Sequence, residues 1–530
     1  MPQITTLLST LHEPAGSGSA DRLFRDEPVL RWTLRRLARS AAAANPTVLC
    51  WEDQAAAVRA AAEESGAAVH CAGARRAIPA LDATSAARRW ADGWRGGLLG
   101  TCEFDRGFYA PIAEQVRLET SGEAVMLVDP AASLVDPALL DAVLAHRINR
   151  PELDFCFSPA APGLSGVLLS AALMAQLAVN QAHPGLLMNY RPDAPRRDPL
   201  SEPACVSVPA RLARTLRRFT LDSDRQIALI SAATAHLNGQ LLTSDAMGLL
   251  NCLEHTGQTG VADQEAAPLP RELVVEINTD RMTPAIFRPT VKREPMDLET
   301  AKRIFAELAE ADDARLVFAG MGDPLLHPQW EELLAAAVEA GIGAIALETD
   351  LLAVSEERLT GLAHSGVDII SVHLPAARTQ TYRAVMGTDE MAQALNNLRI
   401  IIQARGGHGT PLVVPTFVKC TQNLAEMEAW YDHWMNTVGC AVITAPSDFG
   451  GLIEDAGVAD MSPPRRMGCF SLSRRLAVLS DGRIVSCERD ATGRQTLGAT
   501  IKGAWKRAGV MGRNWNEHPL CADCKQWHRF

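Results

Sequence analysis

No lysine precedes Lys292, so chemistry that needs an ammonium nucleophile or a phosphate-gripping lysine is unavailable to the first half of the 530-residue chain. Positive charge is scarce overall: 51 Lys and Arg stand against 62 Asp and Glu, giving a formal net charge of -11 and a pI near 5.7. That balance excludes a broad electropositive face for phosphate backbones, and nucleic acid is not expected as the main partner. Long apolar runs are missing too. The best, Gly166 to Val179, contains Gln176 and is shorter than the roughly 20 residues of a bilayer crossing, so it reads as a buried core helix. The opening Met1-Pro2-Gln3-Ile4-Thr5-Thr6-Leu7 has no basic flank followed by an apolar segment; no secretory leader is expected, and the chain reads as soluble and cytoplasmic. There is no G-x-S-x-G turn, and His327, His364 and His373 read as structural histidines rather than bases of a nucleophilic triad.

What is present is an alternation of apolar strands and amphipathic helices. After a polar segment that begins at His255-Thr256-Gly257-Gln258, apolar runs recur at Leu273–Ile277, Leu316–Phe318, Ala344–Leu347, Ile369–Val372, Leu412–Val414 and Val442–Ile443. Between them Asp297 is placed to cap a helix carrying Ala301, Ile304, Phe305 and Leu308, and Pro328 to open one carrying Trp330, Leu333 and Leu334. Such units build a parallel sheet. About six are too few for a closed eight-stranded barrel, which leaves an open partial barrel or a doubly wound sheet, with ligands at the strand C-termini in either case. The first half is also α/β in pattern, with strands expected at Ile4–Leu8, Val48–Trp51 and Ala124–Val128.

Twelve cysteines in a reducing compartment are buried hydrophobes or metal ligands rather than a disulfide framework. Four form a set: Cys469 and Cys487 in C-x17-C spacing, then Cys521 and Cys524 as C-x2-C. A C-x2-C turn supplies two adjacent thiolates to an iron–sulfur cluster. The stretch Leu476 to Val485, two short apolar runs around Asp481-Gly482, reads as a hairpin that returns Cys487 toward Cys469. Tetrahedral zinc and unrelated thiols are the competing readings; zinc ribbons usually show two close C-x2-C pairs, and only one exists here. Cys469, Gly482, Cys487 and the later C-x2-C resemble the SPASM domain of radical-SAM proteins in its shortened, single-cluster "twitch" form. The resemblance implies one auxiliary [4Fe–4S] cluster on Cys469, Cys487, Cys521 and Cys524.

Radical-SAM enzymes place C-x3-C-x2-C after their first barrel strand, leaving one iron open to S-adenosylmethionine. The segment Glu276 to Pro289 resembles that loop, but Met282, Ile286 and Pro289 stand where the cysteines belong. No reductive cleavage of the cofactor is expected. Phe318-Ala319-Gly320-Met321-Gly322-Asp323-Pro324 resembles the family's "GGEP" segment, which implies Gly320, Gly322, Asp323 and Pro324 as cofactor-binding residues; an ordinary strand-to-helix turn is the other reading of those glycines. Leu347–Asp350, Ser371–His373 and Tyr382–Gly387 extend the likeness. Barrel and tail together look like the spiro-SPASM group, in which an extra domain comes first.

In that first half Asp21 to Leu34 resembles sugar-activating nucleotidyltransferases, as do Val125–Pro130 and Arg218–Asp224. The likeness implies Asp129 as a magnesium ligand; a strand-end or capping aspartate is the alternative. The glycine loop Gly16-Ser17-Gly18-Ser19 is irregular, and no lysine is available. The expected architecture is therefore a nucleotidyltransferase-like α/β domain (1–254), a linker (255–270), a partial (β/α)6 radical-SAM-type barrel (271–445) and a small cysteine-rich SPASM/twitch domain (446–530). The expected function is a radical-SAM-like protein with one auxiliary cluster and a ligand-binding or redox accessory role. Its ligand is an unidentified small molecule or peptide, with a nucleotide or sugar expected at the first domain. The alternatives are a sugar nucleotidyltransferase with a degenerate appendage and a zinc-stabilised scaffold. No catalytic residue is assigned.

Overall fold

Two apolar layers flank a single sheet in the first half of the chain. Along the described residues run β1 (Ile4–Ser9), a short ribbon of β2 (Leu23–Phe24) and β3 (Glu27–Pro28), then β4 (Pro46–Cys50), β5 (Ala68–Cys71), β6 (Ala124–Leu127), β7 (Phe155–Phe157) and β8 (Val167–Ser170). The sheet order is β5-β4-β1-β6-β8-β7; the first four are parallel and β8 is antiparallel to both neighbours. Side chains alternate with the two-residue period of a strand. Leu8, Val48, Met126 and Leu168 enter one core, while Leu7, Leu49, Val125, Leu127 and Leu169 enter the other. This is the α/β pattern that the strand signals imply.

The computed structural model describes residues 3–43, 45–194, 198–256, 267–352, 354–407, 409–464 and 468–528. The chain divides into two units, Met1–Thr256 and Gly257–Phe530. Most of the expected linker, 257–266, lies outside the described residues. The run Gly166–Val179 corrects the expectation of one core helix: it is strand β8 followed by a helix at Ala171–Asn180. Ser170 divides them because its hydroxyl accepts the Leu173 N–H at 3.1 Å, satisfying one of the orphan donors of the helix start. Among the described residues no helix is long and apolar enough to cross a membrane.

In the second unit β9 (Glu272–Val275), β10 (Arg315–Phe318), β11 (Ala344–Thr349), β12 (Ile369–His373), β13 (Leu412–Val418) and β14 (Val442–Thr444) pair in sequence order, all parallel. Helices follow the strands and cover one face, where Leu273, Leu316, Ile345, Ile370 and Val413 enter a common core. Asp297 caps the helix Leu298–Leu308 by accepting the Thr300 N–H at 2.8 Å. Pro328 stands one residue further out than expected, with Gln329 as the cap of Trp330–Glu339. These six units form the open, partial (β/α)6 barrel. The sheet does not stop there. β15 (Arg475–Val478) lies parallel to β9, with Leu476 opposite Leu273 and Val478 opposite Val275. β15 turns through Asp481-Gly482 into β16 (Ile484–Val485), which pairs antiparallel with it and with β17 (Thr496–Gly498). Gly482 carries the φ of +81° that this turn requires.

Arg36, on the helix Val29–Leu37, ties the segment Leu241–Ser244 to the loop that carries Val135. Its guanidinium is buried and donates to the carbonyls of Val135 (2.8 Å), Leu241 (2.9 Å), Leu242 (3.0 Å) and Ser244 (2.9 Å). Burial pulls its pKa down to about 10. Arg36→Met keeps the volume but strands those carbonyls, and is expected to lower stability by about 3–5 kcal/mol, measured by urea denaturation of the purified chain.

Candidate functional site

The loop that leaves β9 is closed by charge. Glu276 is buried at its root, where Oε1 accepts from Arg293 Nε at 3.0 Å and from the Ser480 N–H at 3.2 Å, and Oε2 accepts the Met321 N–H at 3.0 Å. One carboxylate thus joins the loop, the glycine turn after β10 and the β15–β16 hairpin. Asn278 adds a second tie through Nδ2 to the Asp323 carbonyl at 2.8 Å. The two glycines of that turn have a packing reason. A Cβ on Gly320 would stand 2.6 Å from Glu276 Cγ, and one on Gly322 would stand 2.2 Å from Asn278 Oδ1. Pro324 opens the 3-10 turn Pro324–Leu326. Asp323 is buried with its oxygens occupied by Thr349 Oγ1 (2.9 Å), the Asp350 N–H (2.9 Å) and the Leu325 N–H (3.0 Å). Burial, then the neighbouring Asp350, raises its carboxyl pKa.

Across the mouth of the barrel, Arg281 and Thr283 both donate to Asp350 at the end of β11, and His373 Nδ1 lies 3.1 Å from the same carboxylate. Burial alone would raise the Asp350 carboxyl, but the Arg281 guanidinium and the His373 contact outweigh it and hold the group well below the usual range. Arg288 pairs with Glu348 at 3.2 Å. The positions that match the cluster cysteines offer no thiolate: Met282 is 54% exposed, Ile286 packs partly buried against the core, and Pro289 has no donor. No cysteine lies between Cys252 and Cys420.

At the far end of the chain the segments bearing the four thiols are tied to one another. The Phe470 N–H donates to the Trp527 carbonyl at 2.9 Å, bringing the Cys469 segment beside the Cys524 segment. The Cys524 N–H donates to the Cys521 carbonyl at 3.1 Å, and the Gln526 N–H points at Cys524 Sγ at 3.3 Å. Arg489, two residues after Cys487, donates to the Leu520 carbonyl. Cys487 has Cys469 and Cys521 as electrostatic neighbours, and burial pushes its thiol up to about 12. The hairpin does return Cys487 to the neighbourhood of Cys469. Among the described residues no three His, Cys, Asp or Glu side chains already stand as the ligand set of a metal ion. The thiols are neighbours rather than a formed cage.

In the first unit Asp129 follows β6 and lies beside a guanidinium: Arg106 Nη1 is 3.9 Å from Asp129 Oδ2 and also donates to Asp222. Arg218 donates to Asp222 as well, so the Arg218–Asp222 segment is an ion pair. In the glycine loop Ser19 gives its N–H (2.9 Å) and hydroxyl (2.8 Å) to Glu13 Oε2. Burial raises Glu13 to about 7 and Glu103 to about 8. Sequence reasoning missed Arg106, Arg281 and Arg293. Each is a single arginine in a loop, paired with a carboxylate 17 to 116 residues away, and no local period marks it.

Residues 278–432 match the Radical SAM superfamily. This part of the chain is a Radical SAM domain. An uncharacterized protein of Treponema pallidum (strain Nichols) is 20% identical over 339 residues, 58% of this chain and 94% of that protein. Streptococcus suis SuiB bound to precursor peptide SuiA overlaps 55% of this chain and 79% of its own at 13% identity, with a TM-score of 0.39. A cytidylyltransferase from Leptospira borgpetersenii serovar Hardjo-bovis (strain JB197) overlaps 48% of this chain and 95% of its own at 14% identity, with a TM-score of 0.35.

Two outcomes test this charge arrangement. Asp350→Asn leaves Arg281 buried without its counter-ion and is expected to cost about 3–5 kcal/mol at neutral pH, read by chemical denaturation. Because the folded pKa of Asp350 is depressed, its stabilisation is present above the unfolded carboxylate value and is lost as pH falls through and below it; the variant loses that acid-side slope. Glu103 has the opposite sign. Its carboxyl is raised in the fold, so its contribution is whole below pH about 4.3 and drains away as pH climbs toward 8. Glu103→Gln is expected to match the parent near pH 4.5 and to melt higher than it at pH 8.

Proposed function

We propose that the chain is a Radical SAM-like protein that no longer cleaves S-adenosylmethionine, and that it holds one auxiliary [4Fe–4S] cluster on Cys469, Cys487, Cys521 and Cys524. Its role is that of a ligand-binding or electron-carrying accessory. One observation carries the first half of the reading: the loop after β9 contains no thiol, and Arg281, Thr283, Asp350 and His373 close it on themselves. The family implies a cluster at that loop, and the residues there do not fit one.

The tail residues do fit a cluster. They supply four thiols and no competing carboxylate ligand among the four positions, on segments already joined by backbone hydrogen bonds. When bound, such a cluster supplies one-electron redox chemistry. The chain's own part is to exclude water with Trp515 and Trp527, to aim amide N–H groups at the sulfurs as Gln526 does at Cys524, and to set a cation, Arg475, beside Cys487. Hydrogen bonds and charge of that kind set the potential of an iron–sulfur centre. The nucleotidyltransferase alternative has a specific obstacle in the Arg106 pairing of Asp129 and Asp222.

Protein expressed and purified without oxygen is expected to carry roughly four iron and four labile sulfide per chain, and to form no 5′-deoxyadenosine with S-adenosylmethionine and dithionite above a protein-free control. The double variant Cys521→Ser, Cys524→Ser is expected to lose most of the iron while keeping the far-UV circular dichroism of the parent. Deoxyadenosine production sinks the noncatalytic reading. A colourless preparation holding stoichiometric zinc instead of iron sinks the cluster and leaves the scaffold.

A further inference from the structure

Asp129 and Asp222 end two different segments of the first unit, yet they converge on one guanidinium. Arg106 lies 3.9 Å from Asp129 Oδ2 and donates to Asp222, which takes a second guanidinium from Arg218. Burial would by itself pull the Arg106 pKa down, but Asp222, Asp129 and Glu13 outweigh it and hold the charge on. A cavity of about 20 Å³ opens beside the pair, lined by Ser9, Glu103, Arg106 and Asp129 among others. That is room for about one water or one bare cation.

Three features mark the spot as one built for a cation. Two aspartates at segment ends face Arg106, and one of them, Asp129, lines the cavity; carboxylate oxygens are the donors that hard divalent ions select. His12 adds a nitrogen ligand: its ring is buried beside the Ser9 backbone, within electrostatic reach of Arg106 and Asp222. Burial and Arg106 keep that imidazole neutral. Glu103 adds another, since its Oε1 is buried without a partner while Oε2 accepts the Gly163 N–H at 3.0 Å. Donors left unsatisfied in a largely buried place are costly unless something meets them.

The position of Arg106 decides what meets them. Its guanidinium already stands between Asp129 and Asp222. A divalent ion added there would meet that like charge in a largely desolvated cleft, at a penalty of several kcal/mol per ion. Removing Arg106 leaves a net negative site with open oxygen and nitrogen donors. We infer that Arg106 occupies the place of a divalent cation between Asp129 and Asp222 on the first unit, so that the unit as it stands holds no metal there and exposes a latent cation site when the guanidinium is removed. This inference concerns the first unit alone and does not depend on the thiols of the tail.

The test is titration of the full-length protein with Mn2+, followed by the loss of the free-ion EPR signal. Four further forms are compared with the parent: Asp129→Asn, Arg106→Ala, Arg106→Gln, and Arg106→Ala combined with Asp129→Asn. The expected result is no Asp129-dependent site in the parent. Both Arg106 variants gain one site at least about tenfold tighter than anything the parent shows, and the double variant loses it. The inference is overturned if the parent binds one Mn2+ that Asp129→Asn removes, or if both Arg106 variants, folded by circular dichroism, bind no more than the parent. Should neither Arg106 variant fold, the comparison of the parent with Asp129→Asn decides on its own.

Discussion

A carboxylate drawn out of water beyond a parallel strand needs a partner, and in each unit of this chain one such carboxylate meets a guanidinium from a loop. Arg281 reaches Asp350 beyond β11, and Arg106 reaches Asp129 beyond β6 and Asp222 further on. Arginine suits this place because it stays charged when buried and presents several donors in one plane. A metal ion or cluster gathers its ligands but has to be acquired; the arginine arrives with the polypeptide. The surrounding loops then inherit their shape from the fold. Glu276 works the same way, collecting Arg293 and two backbone amides into one junction.

The cysteine tail follows a different rule. A thiol sheds its proton only when something stabilises the anion, and burial pushes Cys487 far the other way. The tail can therefore pack with the apolar core, which holds Cys521 as well as Trp505, Trp515 and Trp527, without needing a counter-charge at Cys487. Backbone hydrogen bonds, with the Arg489 side chain on the Leu520 carbonyl, hold the thiol-bearing segments beside one another.

Local signals in the sequence were enough for the strands and several helix ends. Each of the six apolar runs after Arg271 is a strand, Asp297 is a cap, and Asp481-Gly482 is a turn, because alternation, capping and turn chemistry all act within a few residues. Gly166–Val179 misled because overall apolarity is the same for a buried strand and a buried helix; Ser170 in its middle was the cue that separates them. The arginine pairs were out of reach for a different reason. Arg281 meets Asp350 69 residues on, and Arg106 meets Asp222 116 residues on, so only the folded topology brings them together. The Asp129 reading went as far as chemistry at one position allows, which is a carboxylate at a strand end; what stands opposite it is a tertiary fact.

The parallel pairing of β15 with β9 was also invisible locally, since the partners are 203 residues apart. It changes what the tail is for. Without β15, the strand that launches the closed loop would lie at the border of the sheet with an unpaired row of backbone amides and carbonyls, an invitation to another chain. The cysteine-bearing segment is thus also a selvedge for the barrel. A chain cut short ahead of it would lose more than four sulfurs: it would unravel the margin on which the first strand depends, and aggregation would be the visible symptom even if no cofactor were ever bound.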